Sequence, residues 1–167
     1  MTSRRVDETS KSVRILVVDD CEPWRDFIVN TLKKEPGLEI IGQVSDGSAA
    51  VQQTHQLKPD LILLDIGLPT LNGIQAATQI RESSPSSKIL FISENHHVDI
   101  VERALSTGAG GYVIKSEAAG ELVPAIKAVL AGKRFISASL TGHFLVASSL
   151  VTTQNLSWLA VLISGIG

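Results

Sequence analysis

Four short apolar runs in this chain each end in residues able to do chemistry. Leu61-Ile62-Leu63-Leu64 runs into Asp65, Ile15-Leu16-Val17-Val18 into Asp19-Asp20, Ile89-Leu90-Phe91-Ile92 into Ser93, and Gly111-Tyr112-Val113-Ile114 into Lys115. After Asp65 the chain reads Ile66-Gly67-Leu68-Pro69, which forces a turn. If the runs are neighbouring parallel strands, three carboxylates, a hydroxyl and an ammonium group meet on one sheet edge. Carboxylates that close repel one another unless a cation or a proton sits among them. An acid pair, a third acid, a hydroxyl and a lysine at successive strand ends point to phosphoryl transfer around a metal.

The elements that must position these groups alternate regularly from Val13 to Gly132. Strands are predicted over 13–19, 39–44, 61–65, 88–93 and 111–114, and helices over 23–35, 47–58, 72–82, 98–107 and 118–131. Most of the strands lack polar alternation, as expected where both faces of a parallel sheet are covered. Pro23 suits a first helical turn, and Pro36-Gly37 stops that helix. Asp46-Gly47 and Asn72-Gly73 supply cap and turn chemistry before the second and third helices. Leu122, Ala125, Ile126 and Val129 make one apolar stripe, and Pro124 inside that helix predicts a late start or a kink. Such a series gives a doubly wound α/β fold with a five-stranded parallel sheet and its site at the strands' carboxyl ends.

Composition fits that fold. The 167 residues suit one domain with a tail, and 44% hydrophobic content supports a packed core. A net charge of −2 does not mark a nucleic-acid or membrane-surface protein. The single cysteine, Cys21, excludes an internal disulfide and points to a reducing, cytoplasmic compartment. Residues 1–12 are polar, without an apolar signal segment, and read as a disordered leader.

From Val13 to Gly132 the sequence resembles the receiver domain of bacterial two-component response regulators. The resemblance rests on Asp19-Asp20, Pro59-Asp60 leading through 61–64 to Asp65, Leu68-Pro69 with Asn72-Gly73, Ser93, and Gly108-Ala109-Gly110-Gly111-Tyr112 leading to Lys115. The last strand–helix unit looks most like the subfamily that carries a C-terminal helix-turn-helix domain. The resemblance implies a flavodoxin-like fold with strand order 2-1-3-4-5. It makes Asp65 the acceptor of a phosphoryl group from a histidine kinase or phosphotransfer protein. Asp20, Asp65 and the Gly67 carbonyl would coordinate Mg²⁺, with Asp19 acting mostly through water. Ser93 and Lys115 would hold the phosphoryl oxygens, and Tyr112 would be the aromatic switch that turns inward. It further implies contact with partner proteins, including a homodimer, through the fourth helix, last strand and fifth helix.

Taken singly, each residue has a plainer reading: Asp-Asp as a turn, Asp65 as a cap, Ser93 as a strand-end hydroxyl, Lys115 as a solvated cation, Tyr112 as core. Cys21 reads as a small half-buried residue, His96-His97 as solvated loop residues, and Trp24 as packing on the first helix. Two features depart from the family pattern. Glu94 follows Ser93 where a small residue is usual, and is expected to crowd or repel a phosphodonor. The segment 133–167 is largely apolar, and from Phe135 onward it holds no Lys, Arg, Asp or Glu, so it is expected neither to bind DNA by a helix-turn-helix nor to span a membrane. Two alternatives stay open. One is a degenerate receiver acting as a protein-binding module. The other is a haloacid-dehalogenase-like phosphatase, although Glu22 and Gly67 stand where that family needs its second aspartate.

Overall fold

In a computed structural model, described for residues 11–143, the chain forms a parallel sheet with helices on both faces. The strands are β1 (Val13–Val18), β2 (Leu38–Val44), β3 (Leu61–Leu64), β4 (Lys88–Ser93), β5 (Gly111–Ile114) and β6 (Phe135–Ile136). The helices are α1 (Glu22–Leu32), α2 (Gly47–Leu57), α3 (Gly73–Ser83), α4 (Val98–Ser106) and α5 (Ala118–Leu130), with a 3-10 turn at Lys115–Glu117. Sheet order is β2-β1-β3-β4-β5-β6. The expected order 2-1-3-4-5 holds, and a sixth strand of two residues is added at the β5 edge.

The core explains why the strands lack alternation. Leu16, Val18, Ile62, Leu64, Ile89 and Phe91 face α2, α3 and α4 through Ala50, Ala77, Ile80, Val101 and Ala104. Their neighbours Ile15, Val17, Leu61, Leu63, Leu90 and Ile92 face α1 and α5 through Ile28, Leu32, Leu122, Ala125, Ile126 and Val129. Every position of β3 and β5 is buried, so apolar residues are required on both faces. Register then aligns the strand ends: Val18 pairs with Leu64, Leu64 with Phe91, and Ser93 with Ile114. Asp19 and Asp65 are therefore neighbours just past the ends of adjacent strands.

Pro124 does not interrupt α5, which runs unbroken from Ala118. The boundary expected at 132 falls inside packed structure, because Phe135–Ile136 joins the sheet and residues 138–143 are helical. Most of the leader and the tail beyond 143 lie outside the described residues. Among the described residues no helix is long and apolar enough to cross a membrane.

Candidate functional site

Each site residue leaves a strand and is fixed by the turn that follows. Asp65 N–H donates to the Val18 carbonyl at 2.9 Å, extending the β1–β3 ladder by one residue. Its Oδ1 accepts from the Ile66 amide at 2.7 Å, which sets the carboxylate's direction. The chain then curls so that Gly73 N–H donates to the Ile66 carbonyl at 2.8 Å. A β-carbon at Gly73 would collide with the Asp65 carbonyl, so only glycine permits this close return. Asn72 caps α3 through Gln75 in a reciprocal capping box, as the Asn-Gly pair led one to expect.

Asp19 is buried, its Oδ1 accepting from the Cys21 amide at 2.9 Å. Asp20 beside it is exposed. Carboxylate oxygens of Asp19, Asp20 and Asp65 all lie within 4.8 Å of one another. The acid convergence expected from the strand ends is thus present. An all-oxygen donor set of this charge suits a hard divalent cation that keeps several waters, as Mg²⁺ does.

Lys115 enters from β5 and buries its ammonium group among these acids, with Nζ 2.7 Å from Asp19 Oδ2 and 3.2 Å from Asp65 Oδ2. Burial alone would lower its pKa, but the hydrogen bond it donates to Asp19 and the two carboxylate charges outweigh that and hold it above its ordinary value. Asp65 moves the other way from a simple ion pair. Its burial raises the carboxyl above the usual value, Lys115 opposes this, and the Asp19 charge adds to it. Burial therefore burdens both charges, and only for Lys115 do the partners outweigh it.

Ser93 is buried, and its Oγ accepts from the Asn95 amide at 3.2 Å. Tyr112 is fully buried with its ring inside the core, and its phenol donates to the Asn95 carbonyl at 2.5 Å. Burial pushes its pKa up to about 12, with the Ser93 hydroxyl lowering it and the Asp65 charge raising it. The phenol is a neutral donor throughout the physiological range.

These groups border an open cavity of about 460 Å³ lined by Asp20, Asp65, Gly67, Ser93 and Lys115, with Cys21, Trp24, Glu94, His96 and His97 around them. Glu94 is exposed at this mouth. The His96 and His97 rings stack on one another, and the grouped acids Asp19, Asp20 and Asp65 include neither of them. Sequence reasoning missed two contributors. Trp24 does contact α1 through Phe27, but its ring also lies 5.1 Å from Lys115 Nζ, in cation–π range. Asn95 holds both Ser93 and Tyr112 through its backbone, which no side-chain pattern could reveal.

A response regulator receiver domain is the family whose model matches residues 15–127. This spans more than half of the chain, so the protein belongs to that family. Response regulator GacA of Pseudomonas viridiflava is 34% identical over 125 residues, covering 75% of this chain and 58% of that protein. Transcriptional regulatory protein DegU of Brevibacillus brevis is 32% identical over 133 residues, covering 80% of this chain and 56% of that one. The chain thus spans less than two thirds of these relatives' length. Among solved structures, a LuxR-family two-component response regulator from Aurantimonas sp. SI85-9A1 is similar with a TM-score of 0.78 and 30% identity, over 85% of this chain and 100% of that one.

Proposed function

We propose that this chain is a phosphorylation-dependent signalling switch in which Asp65 accepts a phosphoryl group from a histidine kinase or phosphotransfer protein. The observation that carries this reading is Lys115 Nζ at 3.2 Å from Asp65 Oδ2, at the floor of an open acidic cavity. The Asp65 carboxylate attacks phosphorus in line, a P–O bond forms, and the P–N bond to the donor's histidine breaks. The departing imidazole nitrogen keeps the electron pair and is protonated. Lys115 lies where it neutralises charge on the transferred oxygens, and the Ser93 hydroxyl donates to one of them. Asp20, Asp65 and the Gly67 carbonyl would hold Mg²⁺, with Asp19 acting through water. The ion, when bound, offsets the mutual repulsion of the acids and of the incoming phosphoryl group. The protein is a switch and not a turnover enzyme; its chemistry is self-phosphorylation and slow loss of the group, carried out in the cytoplasm.

Incubation with acetyl phosphate and Mg²⁺, read by intact mass, tests this directly. One stable added phosphoryl group is expected. Steady release of phosphate would favour a phosphatase, and an unchanged mass would favour a degenerate receiver that only binds protein. The Mg²⁺ role has its own test. Saturating Mg²⁺ should raise the wild-type melting temperature, a concentration near 100 times Kd giving about 2.7 kcal/mol. Asp20→Asn should lose most of that gain and should be more stable than wild type in chelator, because one of three like charges is gone. Identical melting of both proteins with and without Mg²⁺ would disprove the clustered-acid reading.

Glu94 supports a further expectation. It is exposed at the mouth through which a donor must pass. Glu94→Ala should label several-fold faster with a small anionic phosphodonor. The electrostatic part of that gain should fade as salt shortens the screening length to about 8–10 Å and below. Equal rates for both proteins at low and high salt would mean that Glu94 plays no part.

Output is proposed to run through α4, β5 and α5 to a protein partner or a second copy of the chain. Part of that face is already covered by the chain's own residues after β6.

A further inference from the structure

Residues 135–140 do not simply leave α5; they are fastened to the functional site. Phe135–Ile136 pairs with Gly111–Tyr112, and Ser137 N–H continues the ladder to the Tyr112 carbonyl at 3.0 Å. The Ser137 hydroxyl then stands in for a strand carbonyl. It accepts from the Ile114 amide at 2.8 Å and donates to Glu121 Oε2 at 2.5 Å. Two acids of the 3-10 turn and α5 hold the start of the next helix. Glu121 accepts from the Ala138 amide at 3.0 Å, and Glu117 accepts from both the amide and the hydroxyl of Ser139, at 3.3 and 2.7 Å. Leu140, only 1% exposed, is buried with Ile136 in the same apolar cluster as Tyr112, Val101 and Ala104.

The placement of these anchors relative to Lys115 is decisive. Ile114 immediately precedes Lys115, and Glu117 closes the three-residue turn that Lys115 opens. Two anchors of the departing segment therefore flank the residue whose ammonium group contacts Asp65. We propose that residues 137–140 form a latch read directly by the charge state of Asp65 through Lys115, and that phosphorylation loosens it. This rests on the reading of Asp65 as phosphoacceptor.

Physically, a phosphoryl group on Asp65 adds negative charge on one side of an ammonium now shared between Asp19 and Asp65. The ammonium follows that charge, and we infer that its pull is passed to the short turn that Lys115 opens and so to Ile114 and Glu117 on either side. Ser137 is fully buried, so if its hydroxyl withdraws while the segment stays docked, the Ile114 amide is left without a partner, although the hydroxyl keeps Glu121. Such a contact has two states and no gradual slide between them. Release would uncover the edge of β5 and the apolar ground beside Tyr112, which is the face assigned above to output. Coupling is reciprocal: whatever weakens the latch must favour the phosphorylated state of Asp65 by the same factor.

Backbone hydrogen exchange on the full chain, with and without Mg²⁺ and beryllofluoride as the phosphoryl mimic, tests the latch. Occupancy is followed separately by fluorine NMR. Protection of the amides at 137–140 is expected to fall roughly tenfold on occupancy, a change of the size of one hydrogen bond, while α2 is unchanged. Ser139→Ala, an exposed site that should not disturb folding, should lower that protection without the mimic and tighten beryllofluoride binding several-fold. Fluoride bound with protection at 137–140 unaltered, or Ser139→Ala leaving beryllofluoride affinity untouched, overturns the latch alone. Failure of the wild type both to bind fluoride and to accept a phosphoryl group overturns the phosphoacceptor reading and the latch with it.

Discussion

Asp65→Asn is expected to abolish labelling by acetyl phosphate and, at the same time, to make the metal-free protein more stable at neutral pH. The loss of labelling follows from chemistry, since the amide cannot serve as the nucleophile that forms the acyl phosphate. The gain in stability follows from the site's electrostatics. Burial raises the Asp65 carboxyl above its ordinary value of 3.8, Lys115 opposes this without cancelling it, and Asp19 reinforces it. A group whose folded pKa is raised binds its proton more tightly in the native state. Its contribution is most favourable below the unfolded pKa and is lost as pH climbs through the window up to the raised value. At neutral pH the charged, buried carboxylate is a cost, and the isosteric amide removes it. The stability difference between variant and wild type, measured in chelator, should be small in acid and should widen as pH rises through the carboxylate range. Full labelling of Asp65→Asn would move the acceptor elsewhere. A variant less stable than wild type at neutral pH would mean that Lys115, and not burial, governs this carboxylate.

The parts of this site legible in the sequence share one physical origin. Strands buried on both faces are apolar through their interiors, so Asp19, Asp65, Ser93 and Lys115 stand out as the first polar residues at or just past their carboxyl ends. The same constraint makes approximate strand limits readable, the sheet order is what the resemblance to receiver domains implies, and the helical period of Leu122, Ala125, Ile126 and Val129 marks the buried stripe of α5. What escaped was set by contacts between loops. Trp24 reads as an ordinary helix aromatic until α1 is docked and its ring faces Lys115. Asn95 acts through a backbone amide and a carbonyl, which carry no residue signature. Phe135–Ile136 is too short for any periodicity, and its membership of the sheet depends on the open edge of β5. Pro124 predicts a late start or a bend in α5, yet the helix begins at Ala118 regardless, because its buried stripe outweighs one missing N–H.

Lys115→Met should have the largest effect on stability, and the loss should depend strongly on pH. The ammonium is almost wholly buried and sits 2.7 Å from Asp19 and 3.2 Å from Asp65. Removing one partner of a buried ion pair leaves uncompensated charge and costs about 3–5 kcal/mol. In the wild type, Lys115 has a folded pKa above its ordinary 10.5, so its stabilising contribution is fully present below that value and fades only at higher pH. In the variant, Asp65 faces Asp19 without the cation that opposes the effect of burial, so its carboxyl resists ionisation further. The deficit should therefore be small where Asp65 is protonated, grow as pH rises through its raised titration, and reach its full size near neutrality. Mg²⁺ should recover part of the lost melting temperature by supplying positive charge to the same acids, a recovery larger than the Mg²⁺ gain of the wild type. Labelling by acetyl phosphate should nevertheless stay slow, by roughly 10²-fold or more, since a preorganised cation at the developing phosphoryl charge is missing. Thermal melts across pH in chelator and in Mg²⁺, with labelling rates beside them, separate the two roles. A variant that melts with the wild type at every pH would show that Lys115 does not neutralise this pair. A variant that is destabilised but labels at the normal rate would confine Lys115 to holding the acids together.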